Sequence, residues 1–286
     1  MPKIKYFKLK AILLILLVLI FSTASFHAYG ESLPSTTNRL FPSSPDPMEL
    51  SLLGDTLFAS SAIVVFFGGR YLYEQKALPD IREVASLDPS TIFFIDRLTM
   101  FDYSKPLHIA SGVTEYTDLA LPVGLVAISA LGVGMDGDDS GGASESRFRR
   151  ALEITLMYGE ALAYSLGVKD AIKGLVDRYR PYAYGSYYSS DEIASNADSR
   201  CSFPSGHTTA AFTGAVFASM VFSEYYPDSV LKLPVWITSL SIATATGVLR
   251  VLSGNHFTTD VIAGALIGSF FGFIVPFMHE VKKESK

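Results

Sequence analysis

The chain has 286 residues, 49% hydrophobic and 13% aromatic, with only 18% charged and a net charge of −5. A soluble domain averages about 25% charged residues, so this composition points to a compact apolar bundle with polar loops. The acidic balance lacks the basic footprint of a nucleic-acid-binding protein, and the single cysteine, Cys201, excludes an intramolecular disulfide.

Lys3, Lys5, Lys8 and Lys10 precede an apolar run from Ala11 to Phe21, and Ala28 and Gly30 then stand as in a small-residue cleavage site. The run is shorter than the roughly 20 residues a membrane-crossing helix needs. Residues 1–30 therefore read as an export signal cleaved after Gly30, with an uncleaved anchor as the alternative. Residues 31–50 are rich in Ser, Pro and Thr and read as an extended lead-in.

Residues 51–280 carry six apolar stretches, near 51–69, 119–134, 151–172, 208–226, 233–249 and 260–278. Most approach the length of a bilayer span, and no alternating strand pattern competes. The expected fold is an all-α bundle, polytopic in a membrane, with about six apolar helices and its active site at one end. The third stretch contains Glu153, Glu160, Lys169 and Asp170, which must face the bundle interior or an aqueous cleft. The sixth carries Gly264, Gly268 and Gly272, small residues every fourth position that let helices approach closely. Residues 70–118 and 135–149 read as polar connections. The acids at 136, 138 and 139 lack the spacing of a calcium loop and read as a solvated turn. Residues 281–286 form a basic tail.

Three short patterns sit at the ends of the apolar stretches. The first is K-x6-R-P, from Lys173 through Arg180 to Pro181. Cations near a helix C-terminus are favoured by the macrodipole even without a ligand, so alone it is weak. The second is Pro204-Ser205-Gly206-His207, placed to start a helix whose free N–H groups would face an anion. Glycine permits close approach of the backbone, and a histidine there can exchange a proton near neutral pH. The third is R-x5-H-x3-D, from Arg250 through His256 to Asp260. If helical, His256 and Asp260 share a face, and a carboxylate on one ring nitrogen leaves the other free to attack. Cys201 has no closely following arginine, as a cysteine phosphatase would need, and reads as a small packing residue.

The three patterns, in this order, resemble those of the type-2 phosphatidic acid phosphatase superfamily, which includes membrane lipid phosphatases, bacterial acid phosphatases and vanadium haloperoxidases. The resemblance runs from about residue 119 to 279. Leu249 departs from it, standing where the family usually has a serine. The resemblance implies catalytic roles for His256, His207 and Asp260: His256, oriented by Asp260, attacks phosphorus to form a phosphohistidine, while His207 protonates the leaving group and then activates water. Lys173, Arg180, Ser205, Gly206 and Arg250 are implied to hold the phosphate oxygens. Their charge would replace a divalent ion, so no metal and no cofactor are expected.

The expected partners are a phosphorylated lipid and the membrane itself. Phosphatidic acid, phosphatidylglycerophosphate, a polyprenyl diphosphate and lipid A all stay open as substrates. A soluble or peripheral periplasmic acid phosphatase is the alternative reading, followed by a lipid phosphotransferase, a haloperoxidase and a non-catalytic lipid-binding protein. Arg147, Arg149 and Arg150, with Lys282, Lys283 and Lys286, lie on the side away from the motifs. The positive-inside tendency then puts the site on the periplasmic face of a bacterial inner membrane. An exported residue 31 followed by six full crossings would place the first motif inside, so either 51–69 does not cross or a further crossing lies within 70–118. Five tyrosines between Tyr179 and Tyr188 read either as an interfacial lid or as a packed aromatic loop.

Overall fold

In a computed structural model the described residues are Met48, 52–132 and 142–279, with the backbone alone described for 52–55 and 142–144. The export segment, nearly all of the lead-in, the acidic turn at 136–139 and the basic tail lie outside them. Every extended element described is helical or irregular. An isolated bridge joins the backbones of Arg178 and Cys201.

Among the described residues six long helices make the bundle: α1 (Leu52–Glu74), α4 (Lys105–Ala130), α5 (Gly142–Leu175), α7 (Gly206–Tyr225), α8 (Lys232–Leu252) and α9 (Thr258–His279). Three short helices, α2 (Ile81–Ala85), α3 (Phe94–Leu98) and α6 (Ser190–Ala194), lie in the connections at one end. Three of the long helices, over Thr56–Glu74, Lys232–Leu252 and Thr258–His279, are long and apolar enough to cross a membrane. The expectation of about six apolar crossings is thus met on length and composition by three.

The bundle is apolar outside and partly polar within. Leu57, Val64 and Phe67 on α1 and Leu266, Phe270 and Phe277 on α9 are more than half exposed. Glu153, Glu160 and Asp170 on α5 are buried, as their cost against lipid requires. Glu153 pairs with Arg149 at 2.8 Å, and Glu160 Oε2 is 3.5 Å from His279 Nε2. This distribution is that of a membrane protein.

Close helix approach comes from glycine. A Cβ on Gly264, Gly268 or Gly272 of α9 would stand within 2.8 Å of the carbonyl oxygens of Ser205, Thr209 or Thr213 on α7, so larger residues would force the helices apart. The rising numbers on both sides show that α7 and α9 run parallel. Gly69 and Gly167 make a similar contact between α1 and α5, and Tyr164 Oη donates to Phe58 O at 3.0 Å lower in the same seam. Hence α1 and α5 also run parallel and finish at one end.

Residues 70–118 correct the sequence reading. They hold no separate long helix; instead residues 105–118 extend the second apolar stretch into the 26-residue α4. Its first half was hidden by His108, Ser111, Glu115 and Asp118, polar residues whose spacing puts them on one helix face. Ser111 and Asp118 on that face are fully buried.

Candidate active site

The ends of α1, α4, α5, α7 and α8 and the turn before α9 converge on a cavity of about 530 Å³, lined among others by Lys173, Arg180, Gly206, His207, Arg250 and His256. All three motifs reach it, each by a different local device.

Lys173 lies in the last turn of α5, buried, with Nζ donating to the Cys201 carbonyl. Arg180 follows in extended backbone before the short 3-10 turn Pro181–Tyr184. Its fork is fixed by donation to Asp198 O at 2.9 Å, to Asp198 Oδ1 at 2.8 Å and to Asn255 O at 3.1 Å. Burial alone would push the Asp198 carboxyl up, but the Arg180 guanidinium prevails and holds it below the usual carboxylate range.

Ser205 is the N-cap of α7, so Gly206 and His207 open the helix with unsatisfied N–H groups toward the cavity. The Ser205 side chain does not reach the cavity: it is fully buried, with Oγ 2.8 Å from Thr208 Oγ1. Among the expected phosphate ligands it is the one turned away.

Arg250 ends α8, buried, with Nη1 2.8 Å from His108 Nδ1 and 3.2 Å from Ser111 Oγ on α4. The chain then turns, the Asn255 and His256 N–H groups both bonding back to Arg250 O at 3.2 Å. His256 therefore sits in the turn before α9, with only Asp260 in the helix proper. This corrects the expectation of a shared helical face.

The consequence is visible in the ring contacts. His256 Nδ1 is 2.7 Å from Ser202 O, whereas Asp260 Oδ2 is 3.6 Å away. A carbonyl can only accept and a guanidinium can only donate. With Arg180 Nη1 2.9 Å from Nε2, the proton belongs on Nδ1 and the lone pair on Nε2. Burial first, then the Arg180, Arg250 and Lys173 cations, hold the imidazole well below its ordinary value, in the neutral form. Asp260 instead shapes the turn: Oδ2 accepts from Ser202 Oγ at 2.6 Å and from Phe257 N at 2.8 Å, and Oδ1 accepts from Arg178. Arg178 also reaches Asp96 Oδ2 at 2.5 Å, and Asp96 accepts from Thr259 N at 2.9 Å.

Sequence reasoning missed His108, Glu115, Arg178, Asp198, Asp96 and Ser202. Only the α4 residues left a signal, their helical spacing. Cys201 is buried, as a packing residue should be. The tyrosines form a packed aromatic loop. Tyr182, Tyr187 and Tyr188 pack around Tyr103 with ring centroids 4.9–6.2 Å apart, while Tyr103, Tyr182 and Tyr188 also line the cavity. Among the described residues, no cluster of three or more His, Cys, Asp or Glu is placed to hold a metal ion.

A helical bundle with two histidines, three cations and a helix N-terminus around one cavity is built to receive a tetrahedral oxyanion. Residues 154–284 match the family model of the PAP2 superfamily. It is 30% identical to a PA-phosphatase related-family protein of Dictyostelium discoideum over 46% of each chain. It is 28% identical to an undecaprenyl-diphosphatase of Sulfolobus acidocaldarius over 44% of this chain and 54% of that one. A lipid A 1-phosphatase of Porphyromonas gingivalis is also 28% identical, over 41% of this chain and 22% of its own length. The chain thus spans about half or less of the curated relatives it matches. A crystal structure of a transmembrane PAP2 type phosphatidylglycerolphosphate phosphatase from Bacillus subtilis superposes with a TM-score of 0.44 and 21% identity, covering 79% of this chain and 98% of that one.

Proposed function

We propose that this protein is a membrane lipid phosphatase that hydrolyses a lipid phosphomonoester or diphosphate through a phosphohistidine. The observation that carries the reading is the His256 ring: unprotonated at Nε2, buried, and aimed into a cavity shared with Lys173, Arg180, Arg250, Gly206 and His207.

Phosphate oxygens bound by Arg180 draw its guanidinium off Nε2 and free the lone pair. Nε2 attacks phosphorus in line as the bond to the leaving oxygen breaks, and His207 gives that oxygen its proton. Water then attacks the phosphohistidine, losing a proton to His207 and releasing His256. Lys173, Arg180 and Arg250, with the first N–H groups of α7, stabilise the charge on the equatorial oxygens throughout. These fixed cations do the work that a divalent ion does in many phosphoryl-transfer sites. The apolar exterior and the relatives' activities support a lipid substrate. The arginines at 147, 149 and 150, at the far end of α5, support a site on the outer, periplasmic face.

The test is phosphate release by detergent-purified protein in EDTA. Phosphatidic acid, phosphatidylglycerophosphate and undecaprenyl diphosphate are compared with a soluble phosphomonoester, with His256→Ala as the control. Release from a lipid, absent in the variant, is the expected result. Turnover of the soluble ester alone would move the protein among the acid phosphatases, and inactivity on all four would overturn the reading.

A further inference from the structure

The motifs supply His207 but nothing to orient it. The structure places a carboxylate there from outside all three motifs and outside the region that matches the family: Glu115 Oε2, on α4, lies 3.4 Å from His207 Nε2. The side chains are 15% and 33% exposed respectively, so the pair lies out of bulk water, with His207 lining the cavity and Glu115 behind it.

The position is well determined. His108, Ser111 and Glu115 are spaced by three and four residues and lie on one face of α4. The first two are bound by Arg250 Nη1, at 2.8 Å and 3.2 Å, so that face is fastened to the cavity. An ordinary salt bridge does not account for Glu115. The two cations facing it are Arg250 and Lys169. Arg250 Nη1 is engaged by His108 and Ser111, and Lys169 Nζ is paired with Asp170 at 2.6 Å. His207 is the one ion-pair partner that the geometry gives Glu115 among the described residues.

We propose that Glu115 is the positioning residue of His207, holding the proton of Nε2 so that Nδ1 serves the substrate. The inference rests on the acid–base role given to His207 above. In the first half-reaction, Nδ1–H of the imidazolium passes its proton to the departing oxygen as the phosphorus–oxygen bond breaks. The neutral ring keeps its Nε2 proton on Glu115 and presents the Nδ1 lone pair to the incoming water. In the second half-reaction that lone pair takes the proton of the water as its oxygen bonds to phosphorus. One tautomer, fixed by one carboxylate, suits both halves.

The experiment compares Glu115→Gln, Glu115→Asp, His207→Ala and the Glu115→Gln/His207→Ala double variant on two probes. Phosphatidic acid has an alkoxide leaving group that needs a proton; p-nitrophenyl phosphate has one that departs without it. In E115Q, turnover of phosphatidic acid should fall by about 10²-fold, the lower end of what acid–base help supplies. The rapid initial release of p-nitrophenolate should persist, because phosphorylation of His256 from this ester does not draw on the His207 proton. E115D should recover part of the loss, and the double variant should be no slower than H207A alone, as residues acting in one unit behave. Equal loss on both probes with a lowered melting temperature in E115Q and E115D alike would make Glu115 merely structural and overturn the proposal. So would a double variant slower than H207A. Wild-type protein inert on both probes would instead sink the phosphatase reading and this inference with it.

Discussion

Arg180 Nη1 donates to His256 Nε2 at 2.9 Å, so in the proposed mechanism the cation that binds phosphate first occupies the lone pair that attacks phosphorus. The contact is made by a planar fork whose Nη1 also donates to Asn255 O and whose Nε and Nη2 are both tied to Asp198. Lysine would keep the charge but lose that fixed geometry. Arg180→Lys should therefore lower kcat by about 10²-fold, within the range for loss of one preorganised donor. Steady-state kinetics at saturating lipid check this, and near-wild-type kcat would show that the fork is dispensable.

The neutral His256 ring also couples stability to pH. Its folded-state pKa is depressed, by burial first and by neighbouring cations second, whereas the unfolded chain takes a proton near the ordinary value of about 6.5. The stability contributed is complete above that value and is lost as pH falls below it toward the folded pKa. Thermal unfolding in detergent at pH 7.5 and pH 5.0 should show a larger drop for wild type than for His256→Gln. Parallel drops would mean that the ring carries no such linkage.

Arg178 stands between two buried carboxylates, Asp96 and Asp260, and lies over the Phe257 ring with its guanidinium carbon 4.5 Å from the centroid. Removing it leaves both acids uncompensated. Breaking a buried pair in this way costs about 3–5 kcal/mol. Arg178→Ala should be strongly destabilised, with activity lost through the distorted 253–257 turn. Restoration of folding in the Arg178→Ala/Asp96→Asn double variant would identify uncompensated charge as the cause.

Asp118 has both carboxylate oxygens buried without a hydrogen-bond partner among the described residues. It lies on α4, where Asp118 O crowds Gly214 of α7. Asp118→Ala, which fits the packed site without adding volume, relieves the desolvation of about 1–3 kcal/mol that an unsatisfied polar group carries. The melting temperature should rise by a few degrees without loss of turnover. A fall in melting temperature would show that the acid has a partner in the membrane-embedded protein.

What the sequence revealed divides along a physical line. Lys173, Arg180, His207, Arg250 and His256 were legible because each lies in a short motif at the end of an apolar stretch, and helix ends are where anion sites form. Asp260 was legible as a site residue, but not as a shaper of the turn. That role depends on Ser202, 58 residues away, and on Arg178, 82 residues away. The first half of α4 escaped because its polar residues point into the bundle, so its hydropathy is that of a loop. Glu115 was hidden for the same reason, since no local pattern announces that a carboxylate on α4 will meet a histidine on α7.

The parallel run of α1 beside α5 has a consequence for insertion. Both helices finish at the cavity end, so the cavity and residue 52 lie on opposite faces of the membrane if α1 crosses it. An exported, cleaved leader would deliver residue 52 to the outer face and leave the cavity on the inner one. An outward cavity demands that the chain before α1 stay inside. The two readings of sidedness therefore exclude each other, and a reporter fused after Ala130 would decide between them: in the cytoplasm if the leader is not translocated, or outside if residues 1–30 are a working export signal. Because α4 leads away from the cavity, the fusion point lies on the face opposite the site, and a reporter active in the cytoplasm would mean that catalysis faces out.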